Sequence, residues 1–376
     1  MRIAPVPASL GVAILLATAA CGSSDETTAA SGKGPITVEA TDTSCTVDRS
    51  EATAGTIEFT VRNTGSKVNE FYVYGEGDQI IGEVENITPG LTRSFHVEVA
   101  SPGTYQMACK PGMKGKGIRA DFTVTGATTS QAPDAAMAAA VTSYQAFVSA
   151  QSDELLTRTT EFVALVKAGK VKEAKAAFPV ARGPWERIEP VAESFGDLDP
   201  MIDGREDVVE EGMEFTGFHR LEKDLWDTGL QSDSGAIADK LLVDVKEIVV
   251  QGQAVQLNPL QLANGAKGLL DEVAVGKITG EEDRYSHTDL YDFDENVKGS
   301  KAAIDALRPV LKARDGALLT NIDARFQTLD TELDKYRTDT GFKLYTELTK
   351  DQVKALSVAV DAVSEDISKV AGVVAQ

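Results

Sequence analysis

The chain has 376 residues, of which 42% are hydrophobic and 25% charged, a composition that argues for folded, globular structure and against a disordered chain. That length exceeds one ordinary domain, so two or three are expected. A net charge of −21 and a pI near 4.6 argue against binding nucleic acid, because phosphates require a basic surface.

Met1-Arg2 is a short positive start, Val12 to Ala17 an apolar core, and Thr18-Ala19-Ala20 a run of small residues before Cys21. This order matches a bacterial lipoprotein signal over residues 1–21, with Cys21 left as the lipid-bearing N-terminus. The apolar run is too short to span a bilayer. Residues 22–34 read as a flexible tether. The mature protein is therefore expected to be exported, lipid-anchored to the cell membrane, and facing the periplasm or the cell exterior.

Residues 35–126 carry short, β-branched and aromatic segments with alternating character: ITVEATD, TIEFTVRN, NEFYVYG, TRSFHVEVA, GTYQMAC and IRADFTVTG. Turn signals at Asn63-Thr64-Gly65, Pro89-Gly90 and Pro102-Gly103 separate them, which predicts a β-sandwich. Residues 127–133 read as a linker. From 134 to 376 the pattern changes to Ala, Leu, Lys and Glu at helical spacing, with breaks expected at Gly183-Pro184, Asp199-Pro200, Asn258-Pro259 and Gly280. The fold class is an all-β sandwich followed by an all-α helical bundle.

With Cys21 assigned to lipid, Cys45 and Cys109 remain. In an exported protein they form a disulfide most simply. The alternative is a soft metal site built from Cys45, Cys109 and Met107 with Glu70. Cys109 ends a strand and is followed by a Pro-Gly loop with Met113, the order of a cupredoxin copper loop, but Lys110-Pro111-Gly112 lacks the histidine such a loop supplies. His96, within SFHVEV, is expected to be packed or hydrogen-bonded and not a ligand.

In the helical part GFHRLEKDLW places His219 three residues before Glu222, so both reach one face of a helix and one ion. Eleven acids against three bases lie between Asp197 and Asp227, and apolar neighbours border the histidine. The preceding segment, WERIEPVAESF, sets Glu186, Glu189 and Glu193 in one stripe, and facing helices of this kind build carboxylate-rich metal sites in bundles. Glu189, Glu193 and Asp203 are the candidates to complete the site, while Glu186 reads as a solvated position. Pro190 is expected to kink its helix and free a carbonyl nearby. His287 reads as part of a helix N-terminus capped by Ser286 or Thr288, with Glu281, Glu282, Asp289 and Asp292 as a secondary cluster.

Three blocks, WERIEPVAESFGDLDPMIDGRED, FTGFHRLEKDLW and EEDRYSHTDLYDFDENVKGS, occur in the order seen in the EfeO/imelysin-like group, also filed as peptidase family M75, which this chain resembles over nearly its whole mature length. The resemblance implies a cupredoxin-like domain ahead of an imelysin-like one, and a His-x-x-Glu motif at His219 and Glu222. It also implies iron capture for an Ftr-type iron permease, beside a DyP-type haem peroxidase, and copper or iron in the cupredoxin-like part at Cys45, Cys109, Met107 and Glu70.

A metallopeptidase is the alternative, yet a zincin needs His-Glu-x-x-His and a serine hydrolase Gly-x-Ser-x-Gly, and neither occurs. An acidic-polysaccharide binder needs a basic, aromatic groove, which 37 basic residues against 58 acidic ones and two tryptophans supply poorly.

Overall fold

The computed structural model describes residues 34–127, 134–192, 198–207, 209 and 214–376; the expected signal with Cys21, the tether before Gly34 and Glu193 lie outside them. The chain begins with β1 (Ile36–Ala40), β2 (Cys45–Val47), β3 (Glu51–Thr53), β4 (Gly55–Asn63) and β5 (Asn69–Tyr74). It continues with β6 (Ile80–Ile87), β7 (Thr92–Val99), β8 (Gly103–Cys109) and β9 (Ile118–Thr125). These strands form a four-stranded sheet, β2-β1-β4-β7, and a five-stranded one, β3-β9-β8-β5-β6.

Alternation decides which residues meet between the sheets. β1 buries Ile36, Val38 and Ala40 and exposes the residues between them, and the inner faces enclose Phe59, Phe71, Phe95 and Phe122. Their rings pack at centroid separations such as 5.3 Å for Phe59 and Phe71. Burying each contributes on the order of 1.5–3 kcal/mol. β5 is different, because NEFYVY is buried on both faces. Phe71 and Val73 enter the sandwich core, while Tyr72 and Tyr74 pack outward with Ala108. β6, whose IIGEVENI carries a glycine and two acids, escaped the sequence reading.

The helical part comprises α1 (Ala135–Lys167), α2 (Val171–Ala192), α3 (Leu198–Asp203), α4 (Gly217–Lys223) and α5 (Ser234–Ala254). Then follow α6 (Pro259–Val275), α7 (Asp289–Arg314), α8 (Gly316–Leu333), α9 (Lys350–Ile367) and α10 (Val370–Val374). The expected break at Asn258-Pro259 is a helix start, with Asn258 and Gln261 in a reciprocal capping box and Pro259 at the first position. Gly183-Pro184, read as a break, lies inside α2, which also contains Pro179 and Pro190. Phe178, Ala181, Trp185 and Ile188 bury α2 deeply enough to outweigh the missing backbone bonds. The Glu186 carbonyl that Pro190 leaves without its helical donor accepts instead from Asn296 Nδ2 at 2.9 Å.

Residues 34–376 form one compact unit. α6 packs against β6 and β7, where Arg93 pairs with Asp271 and Asn264 Nδ2 donates to the His96 carbonyl at 2.6 Å. This contact sets the outer face of β5 and β6 opposite α2, α3 and α6.

Candidate metal centre

The centre depends on a glycine. Gly217 opens α4 at φ 77°, and a Cβ there would stand 2.1 Å from the Ile202 carbonyl oxygen. A residue without a side chain lets α4 start hard against α3 and brings His219 beside Asp203. Phe218 and Leu221 bury with Phe162 and Phe178, and the helical period turns His219 and Glu222 inward together. His219 is 1% exposed and Glu222 is fully buried.

The two ring nitrogens of His219 have different surroundings. Nδ1 lies 2.9 Å from Glu222 Oε2. The other Glu222 oxygen accepts from the backbone N–H groups of Tyr285, at 2.9 Å, and Ser286, at 2.7 Å. Nε2 faces Asp203 Oδ1 at 3.7 Å and Glu282 Oε1 at 3.6 Å. Asp203, His219 and Glu282 each offer a ligand atom within 4.8 Å of the others, as do His219, Glu222 and Asp283. Glu222 already accepts two backbone bonds and holds Nδ1, the arrangement by which an outer carboxylate orients a ligating histidine.

Arg182, fully buried on α2, reaches the same space. Its Nη1 pairs with Asp203 and lies 3.0 Å from His219 Nε2. Nη2 pairs with Glu186 and lies 3.4 Å from both Glu282 and Asp292, while Nε is 3.8 Å from Asp283. A second buried cation, Lys277, holds Glu186 at 2.7 Å and Glu189 at 3.2 Å.

Burial and the Arg182 charge oppose a proton on His219, but hydrogen bonding with Glu222 and Glu282 and the charge of Asp203 outweigh them and raise its pKa to about 9. The protonated ring turns Nε2–H toward Asp203 and Glu282; the deprotonated ring presents a lone pair to Arg182 or to an ion. Burial likewise works against the Glu282 carboxylate, yet Lys277, Arg205 and His219 hold it well below the usual range. Burial pushes Asp283 and Asp292 well above it, and Asp289 up to about 6.

A cavity of about 460 Å³ separates the two parts of the unit and borders the centre at Asp203 and Glu282. Glu70, Glu83 and Glu85 of the sheet face Glu189, Asp199 and Glu272 of the bundle across it. Burial and Glu70 push the Glu83 carboxyl up to about 8. Burial, Asp203, Glu272 and Glu83 raise Asp199 well above its ordinary value, so carboxylates repel one another across the cleft.

The structure corrects several expectations. Glu186 is no solvated residue; it lies between Arg182 and Lys277, fully buried. Glu189 is tied to Lys277 and to Asn296 Nδ2 at 3.0 Å, and belongs to neither ligand group. Glu282 comes from the secondary cluster into the centre, whereas Glu281 is exposed. His287 shapes a loop at φ 59°, donating its N–H to the Asp283 carbonyl, and no ligand group among the described residues includes it. Thr288 occupies the N-cap position of α7, but its hydroxyl donates to Asp283 and does not cap the helix. His96 lies 3.9 Å from Glu58 on the sandwich surface. Sequence reasoning missed Arg182 and Lys277 altogether; Arg182 alone carried a signal, a cation four residues before Glu186 in α2.

The sulfur site is overturned. Cys45 and Cys109 form a disulfide, so neither offers a thiolate. Met107 points with Cys109 into the apolar sandwich core. Glu70 lies on the opposite face with Tyr72, whose hydroxyl stands 3.0 Å from Glu70 and 2.9 Å from Glu85 and shares its one proton between them. The two-residue period of β5 and β8 keeps these groups apart.

Comparison with known proteins agrees with the two-part layout. The Imelysin family model (peptidase M75) matches residues 140–370, and the Cupredoxin-like domain model matches residues 11–124. The iron uptake system component EfeO of Escherichia coli O157:H7 is 38% identical over 370 residues, covering 96% of this chain and 97% of that protein. The chain belongs to the EfeO family. EfeO of E. coli O1:K1 / APEC is 39% identical over 90% of this chain and 91% of its own, and EfeO of Shigella flexneri 38% identical over 96% and 97%. The copper that a cupredoxin-like part implies does not fit the donors present, which are a disulfide, a core methionine and a loop without histidine.

Proposed function

We propose that this member of the EfeO family captures iron outside the cytoplasm, holds it at Asp203, His219 and Glu282, and delivers it to a membrane permease. The observation that carries the proposal is the convergence of one imidazole nitrogen and two carboxylates at a buried point bordering an acidic cleft. An imidazole with carboxylates and no thiolate suits iron, manganese or zinc better than Cu(I). The curated relatives are named for iron uptake, which selects iron among these. A cation entering the acidic cleft relieves the repulsion among its carboxyls and favours their ionised form, which draws cations to the mouth of the centre.

The lipobox at Cys21 supports export and anchoring to the cell membrane. Family resemblance supports an Ftr-type permease as recipient and a DyP-type haem peroxidase as companion. Among the described residues no helix is long and apolar enough to cross a membrane.

Calorimetric titration of the purified protein with Fe²⁺ under anaerobic conditions tests the centre. His219→Ala is expected to weaken binding at least tenfold, and an unchanged titration removes the centre from this account. Palmitate incorporation that persists in Cys21→Ser refutes the anchor.

A further inference from the structure

We infer that Arg182 is the resident counter-cation of this centre, displaced by the incoming ion and received by Asp283 and Asp292. The inference rests on reading Asp203, His219 and Glu282 as the place where metal binds.

The first argument is overlap. Arg182 Nη1 pairs with Asp203 Oδ1 and lies 3.0 Å from His219 Nε2, while Nη2 lies 3.4 Å from Glu282 Oε1. These three atoms are the ones that an ion would take. Zinc, for scale, bonds imidazole nitrogen at about 2.0–2.1 Å, along the lone pair. The guanidinium stands in that direction, and two cations cannot share the position.

The second argument is need. Asp203, Glu222, Glu282, Asp283 and Asp292 are all buried, and carboxylates grouped away from water are costly without a countercharge. Lys277 is committed to Glu186 and Glu189, and Arg205 Nη1 to Glu282 Oε2 at 2.8 Å, which leaves Asp203, Asp283 and Asp292 to Arg182. Arg182 is the cation that keeps the metal-free centre from flying apart, and its planar fork suits several carboxylates at once.

The third argument is a place to go. Asp283 Oδ1 and both oxygens of Asp292 are sealed from solvent and accept no hydrogen bond among the described residues, and Arg182 Nε donates none. Buried polar atoms without partners are rare and call for a cause. Here the cause is a guanidinium between two sets of carboxylates. It bonds Asp203 and Glu186, reaches Glu282 at 3.4 Å, and leaves Asp292 at 3.4 Å and Asp283 at 3.8 Å without a hydrogen bond. A movement of about an ångström closes both of these gaps, since hydrogen bonds of this type close at about 2.7–2.9 Å.

Two consequences follow for the cargo. A monovalent ion replaces one positive charge with another and gains no electrostatic advantage, whereas Fe²⁺ or Fe³⁺ does, so Arg182 selects for charge. The returning guanidinium also competes for the ligands, which lowers affinity and favours release.

The test is calorimetric titration of the full chain with Mn²⁺ as a redox-stable probe. Arg182→Gln is expected to bind Mn²⁺ at least tenfold more tightly than the wild type, and Arg182→Lys, which keeps the charge, within about threefold of it. Asp292→Asn, which removes a receiving carboxyl group without touching the ion, is expected to weaken binding at least fivefold. If Arg182→Gln folds and binds no more tightly, displacement is refuted. If it does not fold, Asp292→Asn decides, and an unchanged Kd there refutes the inference. Wild-type binding that His219→Ala abolishes but neither Arg182→Gln nor Asp292→Asn alters sinks displacement alone. Absence of Mn²⁺ and Fe²⁺ binding to the wild type sinks the metal centre and the inference with it.

Discussion

Replacing Glu222 with glutamine distinguishes an orienting carboxylate from a metal ligand, because it preserves shape and changes one atom. Glu222 Oε1 accepts the Tyr285 and Ser286 N–H groups at 2.9 and 2.7 Å, so the amide oxygen of a glutamine stays there and its NH₂ turns to His219 Nδ1. Nδ1 then has to accept, and the neutral ring keeps its one proton on Nε2, the atom an ion needs. Losing the outer carboxylate of a ligating histidine costs about 10–100-fold in affinity. That corresponds to about 1.4–2.8 kcal/mol. The metal-free protein weakens too, since a buried hydrogen bond to a charged group contributes about 1.5–3 kcal/mol. Anaerobic Fe²⁺ titration measures the first effect, and guanidinium unfolding of the metal-free protein the second. An unchanged Kd would show that Glu222 does not position the ring. A loss beyond about a thousandfold, well outside the range for an outer carboxylate, would show that Glu222 coordinates the ion directly and that the centre lies on the Nδ1 side.

Three further outcomes are expected. The His219 pKa of about 9 lies above its ordinary 6.5, so the stability it contributes is complete below pH 6.5 and lost as pH rises through 9. Metal has to displace that proton, so Fe²⁺ or Mn²⁺ affinity should rise about tenfold from pH 7 to 8 and level off above 9, and a flat profile over that window contradicts the assignment. Gly217→Ala places a methyl group 2.1 Å from the Ile202 carbonyl oxygen at a positive φ. It should lower stability by at least about 1–3 kcal/mol and weaken metal binding by spoiling the approach of α4 to α3, which thermal unfolding and titration will check together. Reducing the Cys45–Cys109 disulfide, whose residues are 64 apart, should cost about 4 kcal/mol by loop entropy and leave the His219 centre's affinity unchanged. A second equivalent of tightly bound metal in the reduced protein would restore the sulfur ligands.

Much of the architecture is written locally. ITVEA alternates and becomes β1, buried on one face as its pattern requires, and Asn258-Pro259 starts a helix because its side chains satisfy the first backbone donors. β6 was illegible because Glu83 and Glu85 face an acidic cleft that only the approaching bundle creates, so its outward positions look like those of a solvated loop. Gly183-Pro184 misled for the converse reason: a local helix breaker was overruled by the burial of Phe178, Ala181 and Trp185 around it.

The sequence by itself determined a sandwich followed by a bundle, and the pairing of His219 with Glu222 through helical spacing. It also carried the resemblance that proved to be family membership. Tertiary structure alone decided that Nε2 faces Asp203 and Glu282, that Glu186 is buried between two cations, and that Arg182 stands where an ion would bind. Periodicity follows from the geometry of one segment and is readable in order along the chain. Charge compensation in a buried cluster depends on which distant helices bring their ends to one point, and 100 residues separate Arg182 from Glu282.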